Sequence, residues 1–100
     1  MDGSYSVYMV RCCDGSLYTG YTVDVPRRVA AHNAGSGARY TKSRRPVTLA
    51  ACAAFPSRHE AMRAEALIKG LSRAEKLSLT DMFRQSPEGF CDAVARLIAE

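Results

Sequence analysis

At 100 residues, 47% of them hydrophobic and 8% aromatic with no tryptophan, the chain can bury one modest core but not two. No apolar run approaches the length of a membrane span. The start, MDGSYSVYM, has neither the basic head nor the apolar stretch of a secretory leader, so a cytoplasmic location is expected and no membrane partner is. The net charge of +4 conceals an asymmetry. No acidic residue lies between Asp24 and Glu60, while Arg27, Arg28, Arg39, Lys42, Arg44, Arg45 and Arg58, half of the 14 basic residues, fall in that window. A one-sign patch in a nearly balanced chain predicts a polyanionic partner, nucleic acid above all, over a merely solvated face.

Cys12 and Cys13 are adjacent, Cys52 and Cys91 stand alone, and no CxxC spacing supports a zinc site. Cys12, Cys52 and Cys91 sit in apolar runs, where a free thiol packs as a small hydrophobe. Ser6–Cys12 is β-branched and aromatic enough for a strand, and Asp14-Gly15 marks a hairpin turn into a second strand, Leu17–Thr22. A helix follows, with Asp24 as N-cap and Pro26 in the first turn, running to about Ala34 and stopping at Gly35. Gly35–Pro46, GSGARYTKSRRP, reads as a polar basic loop without the Gly-Lys-Ser/Thr ending of a phosphate-cradling P-loop. Val47–Phe55 is a continuous apolar run between Pro46 and Pro56, which predicts a strand in the middle of the sheet. Ser57–Glu60 and Ser72–Glu75 both have capping-box spacing. They open helices to about Lys69, before Gly70, and to about Arg84. Ser86-Pro87 starts a last helix striped by Phe90, Val94, Leu97 and Ile98. The order ββαβααα predicts an α+β domain with a three-stranded sheet.

Tyr8 and Tyr18 stand on the two strands. A two-residue turn would pair Cys13 with Ser16 and point the phenols to opposite faces, whereas an odd-length loop or a bulge near Cys13–Ser16 puts both on one face. A shared site therefore requires the second geometry. Arg28 lies on the first helix, where its fork suits a phosphodiester. His32 follows one turn later, as a phosphate contact, a proton carrier or a plain surface histidine. His59 lies in a capping turn and receives no role. Ala61, Glu65 and Ile68 share a helix face, with Met62 and Leu71 flanking it, which sets a carboxylate beside the core. Its partner is either an arginine, Arg63 or Arg28, or a divalent cation.

Together these residues resemble the GIY-YIG nuclease superfamily. Ser6-Val7-Tyr8 and Tyr18-Thr19-Gly20 match the two tripeptides, Arg28 the catalytic arginine, His32 the histidine one turn on, and Glu65, in EALIK, the metal-binding glutamate. The resemblance covers about residues 5 to 80. VYMVRCCDGSLYTGYT, HNAGSGARYTKSRRPVTL and IKGLSRAEKLSL look like signatures of the small stand-alone bacterial branch. It implies a single domain over residues 1–100. The GIY-YIG-like ββαβαα core spans about 5–84, with a three-stranded antiparallel sheet flanked by helices, and an extra C-terminal helix covers about 87–99.

The implied activity is hydrolysis of phosphodiesters by an endonuclease. Glu65 would hold one Mg²⁺ or Mn²⁺ and Arg28 would stabilise transition-state charge. Tyr8 is favoured over Tyr18 as proton acceptor, Tyr18 would position water or phosphate, and Gly20 would let the backbone approach closely. Arg27, Arg39, Tyr40, Lys42, Arg44 and Arg45 are the expected nucleic-acid contacts.

The chain departs from the family pattern in three ways. Ser6 replaces the first glycine, Thr19 replaces an isoleucine, and no late asparagine follows Glu65. Nothing resembles the DNA-recognition domains of the homing and restriction relatives, so structure selectivity is expected over base readout, with DNA repair or recombination as its setting. A nucleic-acid-binding module with the fold but little catalysis is the alternative, and cleavage compared between Glu65→Ala and the unaltered chain discriminates the two. A protein-interaction domain using the last helix is a third reading.

Overall fold

A computed structural model describes residues 4–99. Met1–Gly3, part of the stretch read above as lacking a leader, and Glu100 lie outside the described residues. The elements are β1 (Tyr5–Arg11), β2 (Leu17–Thr22), α1 (Val25–Asn33), α2 (Arg39–Lys42), β3 (Thr48–Phe55), α3 (Arg58–Lys69), α4 (Arg73–Gln85) and α5 (Pro87–Ala99). The strands form an antiparallel sheet in the order β2-β1-β3, and the fold is α+β.

The central strand is β1, contrary to the placing of Val47–Phe55 in the middle. Val7, Tyr8, Met9 and Val10 are all buried, because alternate residues of a strand feed opposite faces of the sheet. Val7 and Met9 join Ala51, Ala53, Ile68, Phe90 and Val94 under α3–α5. Tyr8, Val10 and Cys12 pack with Val47, Val25 and Val29 under α1. Of the apolar run of β3 only Ala51 and Ala53 are buried, and one of its edges is unpaired in the sheet among the described residues. Its register with β1 shifts between Met9 and Val10, where Met9 faces Ala51 and Val10 faces Leu49. The extra residue in β3 is Ala50, a β-bulge.

Local rules set most of the helix ends. The Asp24 side chain accepts from Arg27 N, and Gly35 takes φ +88 just past α1. The second capping box is complete at Ser72 and Glu75. The first is half formed, since Glu60 Oε1 meets the Ser57 hydroxyl at 3.0 Å and Ser57 Oγ accepts from Glu60 N. The basic stretch read as loop contains α2, a single turn whose four residues are too few to show periodicity. Met62, placed beside the apolar face of α3, is largely exposed.

The last helix is built into the core, since Phe90 and Val94 are fully buried and the Phe83 ring meets Phe90 edge-on at 5.7 Å. Truncating a buried phenylalanine leaves a cavity as well as losing transfer energy. Phe90→Ala is expected to lower stability by about 3–5 kcal/mol, read from the denaturant midpoint of unfolding. A loss below about 1 kcal/mol would mean that α5 is peripheral.

Candidate active site

The hairpin turn decides the site's parity. Cys12 N donates to Ser16 O at 2.8 Å, so the loop holds three residues, Cys13, Asp14 and Gly15. Gly15 takes φ +86, open to glycine without strain. Ser16 N and Oγ both donate to Asp14 Oδ1, and these bonds, with Arg44 nearby, hold the Asp14 carboxyl below its ordinary value. Val10 then pairs with Tyr18 and Tyr8 with Gly20. Both phenols lie on the face toward α1, as a shared site requires.

On that face a buried hydrogen-bond chain joins three elements. The Tyr8 hydroxyl lies 2.7 Å from His32 Nε2, and His32 Nδ1 lies 2.8 Å from Thr41 Oγ1. Thr41 has one proton and gives it to Ala38 O at 3.1 Å, so it accepts from His32 Nδ1–H. In the neutral imidazole that leaves Nε2 as acceptor, and Tyr8 donates to it. His32 is fully buried and not a surface histidine. Burial lowers its pKa, helped by the Arg28 charge. Burial also raises the Tyr8 pKa, against the lowering effect of Arg28. Arg28 Nε donates to the Tyr8 oxygen at 3.4 Å and Nη2 to Gly37 O at 2.8 Å. With only 1% of Tyr8 exposed, the favoured proton acceptor is a screened phenol of raised pKa. It accepts a proton more readily if its own passes to His32.

Tyr18 continues the cluster. Its ring meets His32 edge-on at 5.2 Å and stacks with Tyr40 at 6.0 Å. Lys69 Nζ lies 5.7 Å from the Tyr18 ring centre and 3.1 Å from Glu65 Oε2. Lys69 therefore takes the place expected for Arg63 or Arg28, and Arg63 reaches Ile98 O instead. Arg28, Tyr8, His32, Tyr18 and Glu65 are linked into one chain of neighbours through Lys69. The Glu65 side chain is 21% exposed, and its ion pair with an exposed lysine is weak. Among the described residues no three His, Cys, Asp or Glu cluster. A single accessible carboxylate fits an ion that keeps most of its ligands as water and phosphate, the usual magnesium arrangement.

The basic window divides. Arg44 bonds Asp14 Oδ2 at 3.1 Å and Tyr40 O at 2.8 Å, and lies over the Tyr40 ring at 4.0 Å. Arg45 bonds Lys42 O and Asn33 O. Both guanidiniums brace the loop. Arg27, Arg39 and Lys42 are exposed.

The sequence reading missed Thr41, Lys69 and Gly37. Gly37 lies against the His32 ring, whose Cγ would stand 2.6 Å from an added Cβ. An i, i+4 Glu–Lys pair is a legible signal for Lys69. Thr41 and Gly37 had none, because their roles rest on a chain crossing no local pattern predicts.

The GIY-YIG catalytic domain model matches residues 4–78, and the chain belongs to that family. The matched residues include both tyrosine strands, α1 and Glu65, and stop within α4. Among its relatives is the UPF0213 protein VNG_2274C of Halobacterium salinarum, 59% identical over 75 residues, covering 75% of this chain and 97% of that one. Another is the UPF0213 protein SH2523 of Staphylococcus haemolyticus, 56% identical over 75 residues, 75% of this chain and 92% of that one. The solution structure of the UPF0213 protein BH0048 from Bacillus halodurans superposes with TM-score 0.54 at 47% identity, over 87% of this chain and 92% of that one.

Two outcomes follow from the buried chain. An added Cβ at Gly20 would lie 2.6 Å from the Tyr8 hydroxyl. Gly20→Ala is therefore expected to cost about 1–3 kcal/mol, with a shifted His32 imidazole resonance in NMR spectra. An unmoved resonance would count against the close packing. Because the folded His32 pKa sits below its ordinary 6.5, the unfolded chain takes up a proton first as pH falls. The stability from a neutral His32 is complete above about pH 6.5 and is lost below it, toward the depressed folded value. Thermal melts should show this decline in the unaltered chain and a shallower one in His32→Gln.

Proposed function

We propose that this chain is a divalent-metal-dependent endonuclease that hydrolyses phosphodiester bonds, in DNA first of all, selecting substrate by structure and not by sequence. The observation that carries this reading is the Tyr8 hydroxyl held between Arg28 and a neutral His32 Nε2, with Glu65 reached through Tyr18 and Lys69. Arg28 also lines a groove of about 350 Å³ with Thr22, Val23, Asp24, Arg27 and Ala31. A phosphate entering there attracts Arg28 away from Gly37 O and uncovers the Tyr8 oxygen. Tyr8 then takes a proton from the attacking water as its own proton passes to His32 Nε2, and Arg28 offsets the charge that develops on the phosphate. Tyr18, beside Tyr8 and His32, positions the water or the phosphate. Glu65 would hold Mg²⁺ or Mn²⁺, which when bound polarises the phosphate and neutralises its charge. Lys69 keeps the Glu65 carboxylate paired until then. The exposed cations Arg27, Arg39 and Lys42 support binding through the phosphate backbone, which carries no base readout. A cytoplasmic role in DNA repair or recombination fits such chemistry.

The test is cleavage of single-stranded and branched DNA with Mg²⁺ or Mn²⁺. Tyr8→Phe is expected to lower the rate by about 10²–10⁴-fold with binding kept, and Glu65→Ala to abolish metal-dependent cleavage. Equal residual cleavage in Glu65→Ala and the unaltered chain would point to a contaminant and leave a binding module. In the basic window, Arg39→Ala with Lys42→Ala should weaken binding and flatten its salt slope by up to about 0.9 for each phosphate no longer neutralised. Arg44→Ala should instead lower the melting temperature, since that side chain braces the loop. An unchanged salt slope in the first pair would move the substrate elsewhere.

A further inference from the structure

Beside the catalytic cluster a groove of about 300 Å³ is lined by Leu17, Tyr18, Thr19, Tyr40, Lys69 and Lys76. None of these is acidic, although Glu65 pairs with Lys69 Nζ at 3.1 Å from outside the groove, and the two aromatic rings lie beside two ammonium groups. Tyr40 is 39% exposed, so part of its ring is open to a ligand. It is nevertheless held firmly. Arg44 lies 4.0 Å over its ring, bonds Tyr40 O and is itself anchored on Asp14. Arg44 does not line the groove, so it backs the face of Tyr40 turned away from it. On the groove side the Tyr18 ring is nearly parallel, 23° away, but its centre is 6.0 Å distant. A centre-to-centre distance of 6.0 Å is that of an offset pair, so the rings are displaced sideways and Tyr18 covers only part of this face of Tyr40.

The cations are placed by the fold. Arg73 Nη2 donates to Gly15 O at 3.1 Å, tying the start of α4 to the hairpin turn. Lys76, one turn later, therefore stands across from Leu17. Lys69 lies over Tyr18 from α3. A rigid aromatic face with two ammonium groups at its rim matches one ligand chemistry, a flat base with a phosphate on either side.

The geometry points to this groove as a subsite for an unpaired nucleobase of a single-stranded polynucleotide, stacked on Tyr40, with the adjoining phosphates on Lys69 and Lys76. It rests on the nuclease reading above and deepens it, because Tyr18 belongs to both places. The nucleotide next to the scissile phosphate is the one that occupies the groove. A base held in a duplex is stacked on its neighbours and cannot also cover Tyr40. Selection for strand ends, flaps and single strands then comes from one side chain, without any reading of base edges.

The experiment is fluorescence anisotropy with a short fluorescein-labelled oligodeoxynucleotide in EDTA, so that binding is read without cleavage. The single strand is expected to bind more tightly than a duplex of the same length. Tyr40→Ala should weaken single-strand binding about tenfold, the usual effect of losing one base–aromatic stack, and change duplex binding by no more than about twofold. Tyr40→Phe should restore it, since the ring and not the hydroxyl is used. Lys76→Ala should lower the single-strand salt slope by about 0.7. A second measurement uses the unaltered protein, so that no variant need fold. A strand carrying abasic residues should bind about tenfold more weakly than the intact strand, and that difference should vanish in Tyr40→Ala. Equal binding of intact and abasic strands overturns the inference. If the protein cleaves DNA while the abasic strand binds as well as the intact one, the nuclease reading stands and this one falls. An abasic effect in a protein that cleaves nothing does the reverse. Absence of binding to either strand form overturns both.

Discussion

The hydrogen bonds from Tyr8 through His32 to Thr41 run through the interior between β1, α1 and α2. Each partner sits where water cannot replace it, so losing one leaves the next unsatisfied at about 1–3 kcal/mol. Much of the surrounding sequence answers to this chain. Gly20 is opposite Tyr8 and Gly37 is against His32, and at both an added Cβ would collide with the ring. The basic loop folds into a helical turn at α2, which delivers Thr41 to the imidazole. The proton positions follow from the single proton of Thr41, which also makes His32 an acceptor toward Tyr8.

Electrostatics set what this arrangement can do. Arg28 bridges the Tyr8 oxygen and the Gly37 carbonyl. Its charge opposes protonation of His32 and partly offsets the cost of a buried phenolate. Burial alone pushes the phenol toward staying protonated and the imidazole toward staying neutral. The two groups are thus a proton donor and an acceptor in contact, which a surface tyrosine and histidine would not be. Farther along, the positive window is less uniform than its composition. Arg44 and Arg45 are spent on backbone carbonyls and Asp14, leaving Arg27, Arg39 and Lys42 facing solvent.

The sheet is the platform for these contacts. Its middle strand serves two cores at once, one under α1 and one under α3–α5. Alternation along β1 sends Tyr8 to the first and Met9 to the second. The α5 helix closes the second with Phe90 and Val94, although the family match ends at residue 78. Support for the strand that carries Tyr8 therefore extends past the matched residues.

Local chemistry made much of this legible beforehand. Asp24, Gly35, Ser72 and Glu75 marked helix ends through short-range hydrogen bonds and backbone preference, which need no tertiary partner. The two tyrosines, Arg28, His32 and Glu65 could be singled out by type and spacing, and the odd loop could be stated as a condition for their meeting. Three things were left to the tertiary structure. β1 and not β3 takes the middle of the sheet, because an apolar run does not show how many of a strand's edges are paired. Thr41 and Gly37 enclose His32. Two of the arginines hold the loop instead of facing a ligand. Each depends on which distant segments come together, and period and propensity along the chain carry no information about that.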